Sequence, residues 1–113
     1  MEIARVAKYI QLLGEPSLMN KFVEAWFREV DLDENGYIDA KEFTLFFIKF
    51  FEIKSVESID LEVLAKLFFL FDTNGNGVIE RNELKAGIES ILSARVRNYM
   101  KEHNLSSFTV KKI

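Results

Sequence analysis

Asp31, Asp33, Asn35, Asp39 and Glu42 carry side-chain oxygens at positions 1, 3, 5, 9 and 12 of a twelve-residue stretch that has Gly36 at position 6. Asp72, Asn74, Asn76, Glu80 and Glu83 repeat the arrangement around Gly77. Oxygens at that spacing suit one chemistry, the coordination of a hard divalent cation. Calcium takes about six to eight oxygen ligands at about 2.3–2.6 Å, so a short loop must turn carboxylates and amide oxygens inward around a point. The chain must then bend back sharply, and a residue without Cβ adopts that bend at least cost. Position 7 offers a backbone carbonyl, here from Tyr37 and Val78, so its side chain is free to vary. Position 12 needs a carboxylate long enough to reach the ion with both oxygens, which Glu42 and Glu83 satisfy.

Asp, Asn and Gly also dominate ordinary turns. The flanking sequence argues against that plainer reading, because apolar residues recur at helical spacing on both sides of each stretch. Val23, Phe27 and Val30 lead into the first, and Phe43, Phe46, Phe47 and Phe50 lead out. Leu64, Phe68 and Phe71 precede the second, with Leu84, Ile88 and Ile91 after it. Helix, loop, helix is written twice. With both loops intact, the chain resembles the EF-hand calcium-binding family, and the resemblance spans most of its length. The resemblance implies an all-α paired EF-hand fold that binds two Ca2+ ions per chain. Its ligands would be Asp31, Asp33, Asn35, Tyr37, Asp39 and Glu42, then Asp72, Asn74, Asn76, Val78, Glu80 and Glu83. It also implies a short antiparallel bridge between the residues at position 8, the β-branched Ile38 and Ile79, coupling the two loops.

The chain is 113 residues long and 49% hydrophobic, enough to bury one core and not two independent ones. A single domain over residues 1–113 is expected, with an extra N-terminal helix at 1–14, a first hand at 17–53, a second at 59–92 and a basic C-terminal extension at 93–113. The N-terminal helix places Ile3, Val6, Ala7, Ile10 and Leu13 on one face and stops near Gly14. Pro16 suits the start of the next helix. A very apolar helix follows the first loop to about Ile53, and Lys54 to Ser58 reads as the linker, with Ser58 or Asp60 capping the helix beyond. Val96, Tyr99 and Met100 continue a helical period past Ile91, while the segment Ser106–Ile113 reads as an extended tail.

There is no Cys, which removes disulfides and thiolate metal sites. The lone His103 has no evident acid or nucleophile partner, and no Gly-rich phosphate cradle occurs, so an enzyme is not expected. The net charge of −3 argues against nucleic acid. Glu2, Arg5 and Lys8 interrupt the N-terminal apolar residues, unlike a signal peptide or membrane span, and a soluble cytoplasmic monomer is the expectation. From Leu84 onward six Lys or Arg oppose two Glu. That excess reads first as solvated charge, and a contact with anionic lipid or an acidic partner is its functional alternative. Asn104 begins a glycosylation triplet that reads as coincidence without a secretory signal.

Eleven Phe and one Trp complete the picture. Phe46 and Phe47, Phe50 and Phe51, and Phe68 and Phe69 are adjacent pairs, and neighbours on a helix point about 100° apart. A second apolar surface must therefore be covered by the N-terminal helix, by the C-terminal segment or by a protein target once calcium opens the domain. The expected function is a calcium sensor presenting this Phe-rich surface, with the N-terminal helix as a lid; the alternative is a calcium buffer or metal-stabilised structural module. Met is scarce, unlike the pliable groove of promiscuous sensors in the family.

Overall fold

Residues 2–103 are described in a computed structural model. Five helices follow in order: α1 (Glu2–Gly14), α2 (Pro16–Val30), α3 (Ala40–Phe50), α4 (Leu61–Phe71) and α5 (Arg81–Glu102), with a 3₁₀ turn at Val56–Ser58 between α3 and α4. They form two helix-loop-helix units, α2 with α3 and α4 with α5, flanked by α1. The fold is all-α. Among the described residues the one β pairing is the isolated antiparallel bridge between Ile38 and Ile79, closed by N–H to O bonds of 2.8 and 2.7 Å. Both side chains are fully buried, so the bridge ties the two loops to each other and to the core.

Each helix boundary has a local cause. Pro16 occupies the first turn of α2, where its missing N–H costs nothing. The Asp39 carboxylate accepts the Glu42 N–H at 2.9 Å and caps α3. Asp60, one of the two caps expected, accepts the N–H groups of Glu62 and Val63 and starts α4. α3 stops at Phe50, three residues short of the expected end. Glu52 adopts φ +55°, Ile53 donates to the Ile48 carbonyl and Glu52 to that of Lys49, the paired bonds of a left-handed helix stop.

α5 is the spine. It packs on α1, α2 and α4 and buries Leu84, Ile88, Leu92 and Val96 at four-residue spacing. At 22 residues it is about 33 Å long and continues ten residues beyond Leu92. Phe27, Phe43, Phe46 and Phe71 fill the centre with almost no exposure. Phe71 lies edge-on to Phe43 at 5.1 Å between ring centroids, and Trp26 is edge-on to Phe46 at 5.4 Å. Phe71 reaches α5 at Gly87, where a Cβ would overlap its ring.

α1 differs from its expected face. Val6 and Leu12 are buried and Tyr9 and Leu13 pack on the core, while Ile3 and Ala7 are exposed. The helix turns to lay the Tyr9 ring against α5, where Arg95 donates to the Tyr9 hydroxyl at 2.9 Å. α1 packs on α2 and α5 and makes no helix contact with α4, so among the described residues it does not serve as a lid over that helix. The adjacent Phe pairs on α3 are nonetheless covered: Phe46, Phe47 and Phe50 are buried and Phe51 is half-buried. Phe69 on α4 is not, with 81% of its surface exposed. The expected C-terminal tail and Asn104 lie outside the described residues.

Candidate metal centre

Four carboxylates are buried among the described residues: Asp31, Glu42, Asp72 and Glu83. They are positions 1 and 12 of the two loops. Burying a carboxylate is costly unless hydrogen bonds or a cation compensate it, and here the loop backbone supplies the bonds. Asp31 accepts the N–H groups of Asn35 at 3.3 Å and Gly36 at 3.0 Å. Asp33 accepts from Asn35, and the Asn35 amide oxygen accepts from the Tyr37 N–H at 3.1 Å. Glu42 reaches back across the loop to accept from Asp33 at 3.4 Å and Asp39 at 3.1 Å.

The second loop repeats these bonds position for position. Asp72 accepts from Asn76 and, at 2.8 Å, from Gly77. Asn74 accepts from Asn76, and Asn76 from Val78. Glu83 accepts from Asn74 and Glu80. Its Oε2 also accepts from the Thr73 hydroxyl at 3.2 Å, a support at position 2 for which the sequence pattern held no signal.

The backbone shows why glycine recurs. Gly36 and Gly77 have φ of +91° and +89°, where a side chain is strained even though nothing crowds the position. Position 4 is asymmetric: Gly75 takes φ +68° in loop two, whereas Glu34 takes +55° in loop one.

Asp31, Asp33 and Glu42 each offer a carboxylate oxygen within 4.8 Å of the others. Three oxygens so close, two of the residues buried, form a donor set that fits a hard cation. It is the only such carboxylate triad among the described residues. Loop two carries Asn74 at position 3 and so brings amide oxygen where loop one has charge. At position 9 the Asp39 carboxylate accepts the Glu42 N–H at 2.9 Å, and Glu80 accepts from the Asn76 side-chain amide at 3.2 Å.

Comparison with known proteins agrees with this geometry. Residues 20–89, more than half of the chain, match the family model for an EF-hand domain pair. The chain belongs to the EF-hand family. EF-hand domain pairs are calcium-binding and signalling modules, not catalytic domains. The chain is 34% identical over 82 residues to calcium-dependent protein kinase 4 of Plasmodium falciparum, a match covering 71% of this chain and 15% of that protein. It is 36% identical over 72 residues to guanylyl cyclase-activating protein 1 of Gallus gallus, covering 64% of this chain and 34% of that one. An uncharacterized calcium-binding protein of Caenorhabditis elegans is 41% identical over 58 residues, which is 51% of this chain and 24% of that protein. The chain thus spans about a third or less of the length of these relatives. No solved structure matches it.

The two EF-hands are also strapped together outside the Ile38–Ile79 bridge. Arg81, at position 10 of loop two, donates to both oxygens of Glu24 on α2 at 2.9 and 3.2 Å and lies 4.3 Å from the Phe27 ring centroid. The hydrogen bonds from Arg81 come first, and with its charge and that of Arg28 they hold the Glu24 carboxyl below its ordinary value of 4.5 against the opposing effect of burial. Arg81 is raised in turn, first by the same hydrogen bonds. No sequence spacing points to this pair, whose members are 57 residues apart.

Beside the metal loops lies an apolar surface. Leu61, Phe69 and Leu70 of α4 are each more than 70% exposed, and a groove of about 290 Å³ runs between α3 and α4 along Phe43, Thr44, Leu64 and Phe68. No helix among the described residues is long and apolar enough to cross a membrane.

Proposed function

We propose that this chain is a calcium sensor in which two ions, one per loop, control an apolar surface that takes a protein target. The two hands, residues 17–53 and 59–92, act as one unit, with 93–113 as an extension. In loop one the ion is held by Asp31, Asp33, Asn35, the Tyr37 carbonyl, Asp39 and Glu42. In loop two it is held by Asp72, Asn74, Asn76, the Val78 carbonyl, Glu80 and Glu83. The observation that carries the reading is the burial of positions 1 and 12 in both loops. The repeated hydrogen bonds around Asp72 and Glu83 support a second site even though its position 3 is an amide. Calcium also accepts neutral oxygen, so an amide there lowers charge without removing a ligand.

Target binding is supported by α4. A helix apolar on nearly every side is ordinarily enclosed, yet Leu61, Phe69 and Leu70 face outward. Two relatives carry names of regulated or regulatory proteins, a calcium-dependent kinase and a cyclase activator. An amphipathic helix or another apolar segment is the fitting target class. The expected setting is cytoplasmic and the expected state monomeric. A specific observation favours the alternative, a buffer or structural module: the ring cluster of Phe43, Phe46, Phe50 and Phe71 is closed and nearly inaccessible. Calcium titration with a hydrophobic dye and nuclear magnetic resonance decides between them. Increased dye binding, with altered contacts among Phe27, Phe47, Phe68 and Ile88, supports the sensor. Calcium binding with neither change identifies the buffer, and no calcium binding overturns both.

A further inference from the structure

Away from the metal loops, α1, the end of α3 and the last turns of α5 enclose a cleft of about 330 Å³. At its inner wall Arg95 is half-buried, its guanidinium carbon 5.7, 5.3 and 5.2 Å from the ring centroids of Tyr9, Phe50 and Phe51. Among the described residues no carboxylate lies within ion-pair distance of it, and its hydrogen-bond acceptor is the Tyr9 hydroxyl at 2.9 Å. Aromatic faces stabilise a guanidinium but leave its remaining N–H groups to solvent and to whatever enters the cleft, since none of them is both buried and unpartnered. Because the Tyr9 oxygen accepts from Arg95, the hydroxyl proton is available to a second acceptor. Arg95 and Tyr9 thereby present adjacent donors with no matching acceptor among the described residues.

We propose that this cleft binds a small organic monocarboxylate, with its carboxylate on Arg95 and Tyr9 and its hydrocarbon body against Phe50, Phe51 and Val6. A guanidinium suits a carboxylate geometrically, and the charge-assisted bond is about twice as strong as a neutral one. The volume falls within the ordinary range for small-molecule pockets, and the ring faces favour an aromatic or short aliphatic body. The rim sets the charge. Arg5, Glu52 and Glu102 line the outer part, and Arg5 pairs with Glu52 at 3.3 Å, which leaves Glu102 to oppose a ligand bearing a second negative charge. This separates a monocarboxylate from a phosphate dianion. The reading is independent of calcium coordination, since neither loop contributes to the cleft.

The test is a nuclear magnetic resonance titration of the full chain with phenylacetate at fixed free calcium, followed at the Arg95 side-chain N–H and the Asn98 and Phe51 amides. Phenylacetamide, of the same shape without charge, and inorganic phosphate are titrated alongside. Saturable shifts at these groups are expected below about 10 mM phenylacetate, with the amide weaker by about tenfold or more. Arg95→Met should weaken phenylacetate binding by about tenfold or more, and Tyr9→Phe by a smaller factor. The acid–amide comparison is made on the unaltered chain and so stands even if a variant fails to fold. No shift, equal binding of acid and amide, tighter binding of phosphate, or unchanged affinity in a folded Arg95→Met variant would each overturn the proposal.

Discussion

Asp31, Glu42, Asp72 and Glu83 hold their loops in shape by accepting backbone N–H groups, and in loop one Asp31 and Glu42 also offer oxygens within 4.8 Å of each other and of Asp33. Replacing Glu42 or Glu83 by Gln keeps the shape of the side chain and removes its charge. Each variant should lose one calcium site in calorimetric titration. Loop one has carboxylates at positions 1, 3, 9 and 12 and loop two at 1, 9 and 12, so Glu42→Gln should remove the tighter phase. Loss of the tighter phase with Glu83→Gln would reverse that ranking. The backbone makes a second residue-scale prediction. Glu34 sits at φ +55° where loop two has Gly75 at +68°. Glu34→Gly should raise stability by up to about 1 kcal/mol, and Gly75→Ala, with open space around its Cβ, should cost about 1 kcal/mol through backbone strain. Denaturant melts of both variants without calcium would measure each effect.

At the scale of elements, the Phe71 ring of α4 rests directly on Gly87 of α5, with no room there for a Cβ. Gly87→Ala puts a methyl group into that ring and should cost about 1–3 kcal/mol, since overpacked cores relax only partly. If α4 swings from α5 when calcium binds, the same change should raise dye binding at low calcium. A thermal melt and dye fluorescence read the two effects separately. The α2–α5 strap predicts a pH dependence. Glu24 has a folded value below its unfolded one, so the stability it adds is present above pH about 4.5 and is lost as pH falls through the lower folded value. Its side chain is 38% exposed, so Glu24→Gln should cost no more than about 1 kcal/mol and flatten only that acid limb. The elements differ in how legible they were. Each loop lies within twelve consecutive residues, so its oxygen-bearing positions and its glycine bend could be read from spacing, and the Ile38–Ile79 bridge followed from the family resemblance. The rotation of α1 could not, because Tyr9 answers to Arg95, 86 residues away. Nor could the early stop of α3, where Glu52 takes a conformation for which glycine is the usual signal.

The whole molecule couples these parts, because Ile38 and Ile79 join the loops while α5 touches α1, α2 and α4. An ion that binds only the folded chain stabilises all of it by mass action, by about 2.7 kcal/mol per site at a free concentration one hundred times the dissociation constant. In a domain of this size about 1 kcal/mol corresponds to roughly 4 °C, so one filled site should raise Tm by about 10 °C and two by about 20 °C. Filling both would also take the formal charge from −3 to +1, which weakens repulsion of acidic partners. Scanning calorimetry across a calcium series can separate the cases, because above both dissociation constants Tm rises with the logarithm of calcium at a slope proportional to the number of ions released on unfolding. The wild-type slope should be twice that of Glu42→Gln and of Glu83→Gln. An unchanged slope in Glu83→Gln would mean that loop two holds no ion and that the domain works through the Asp31, Asp33 and Glu42 site alone.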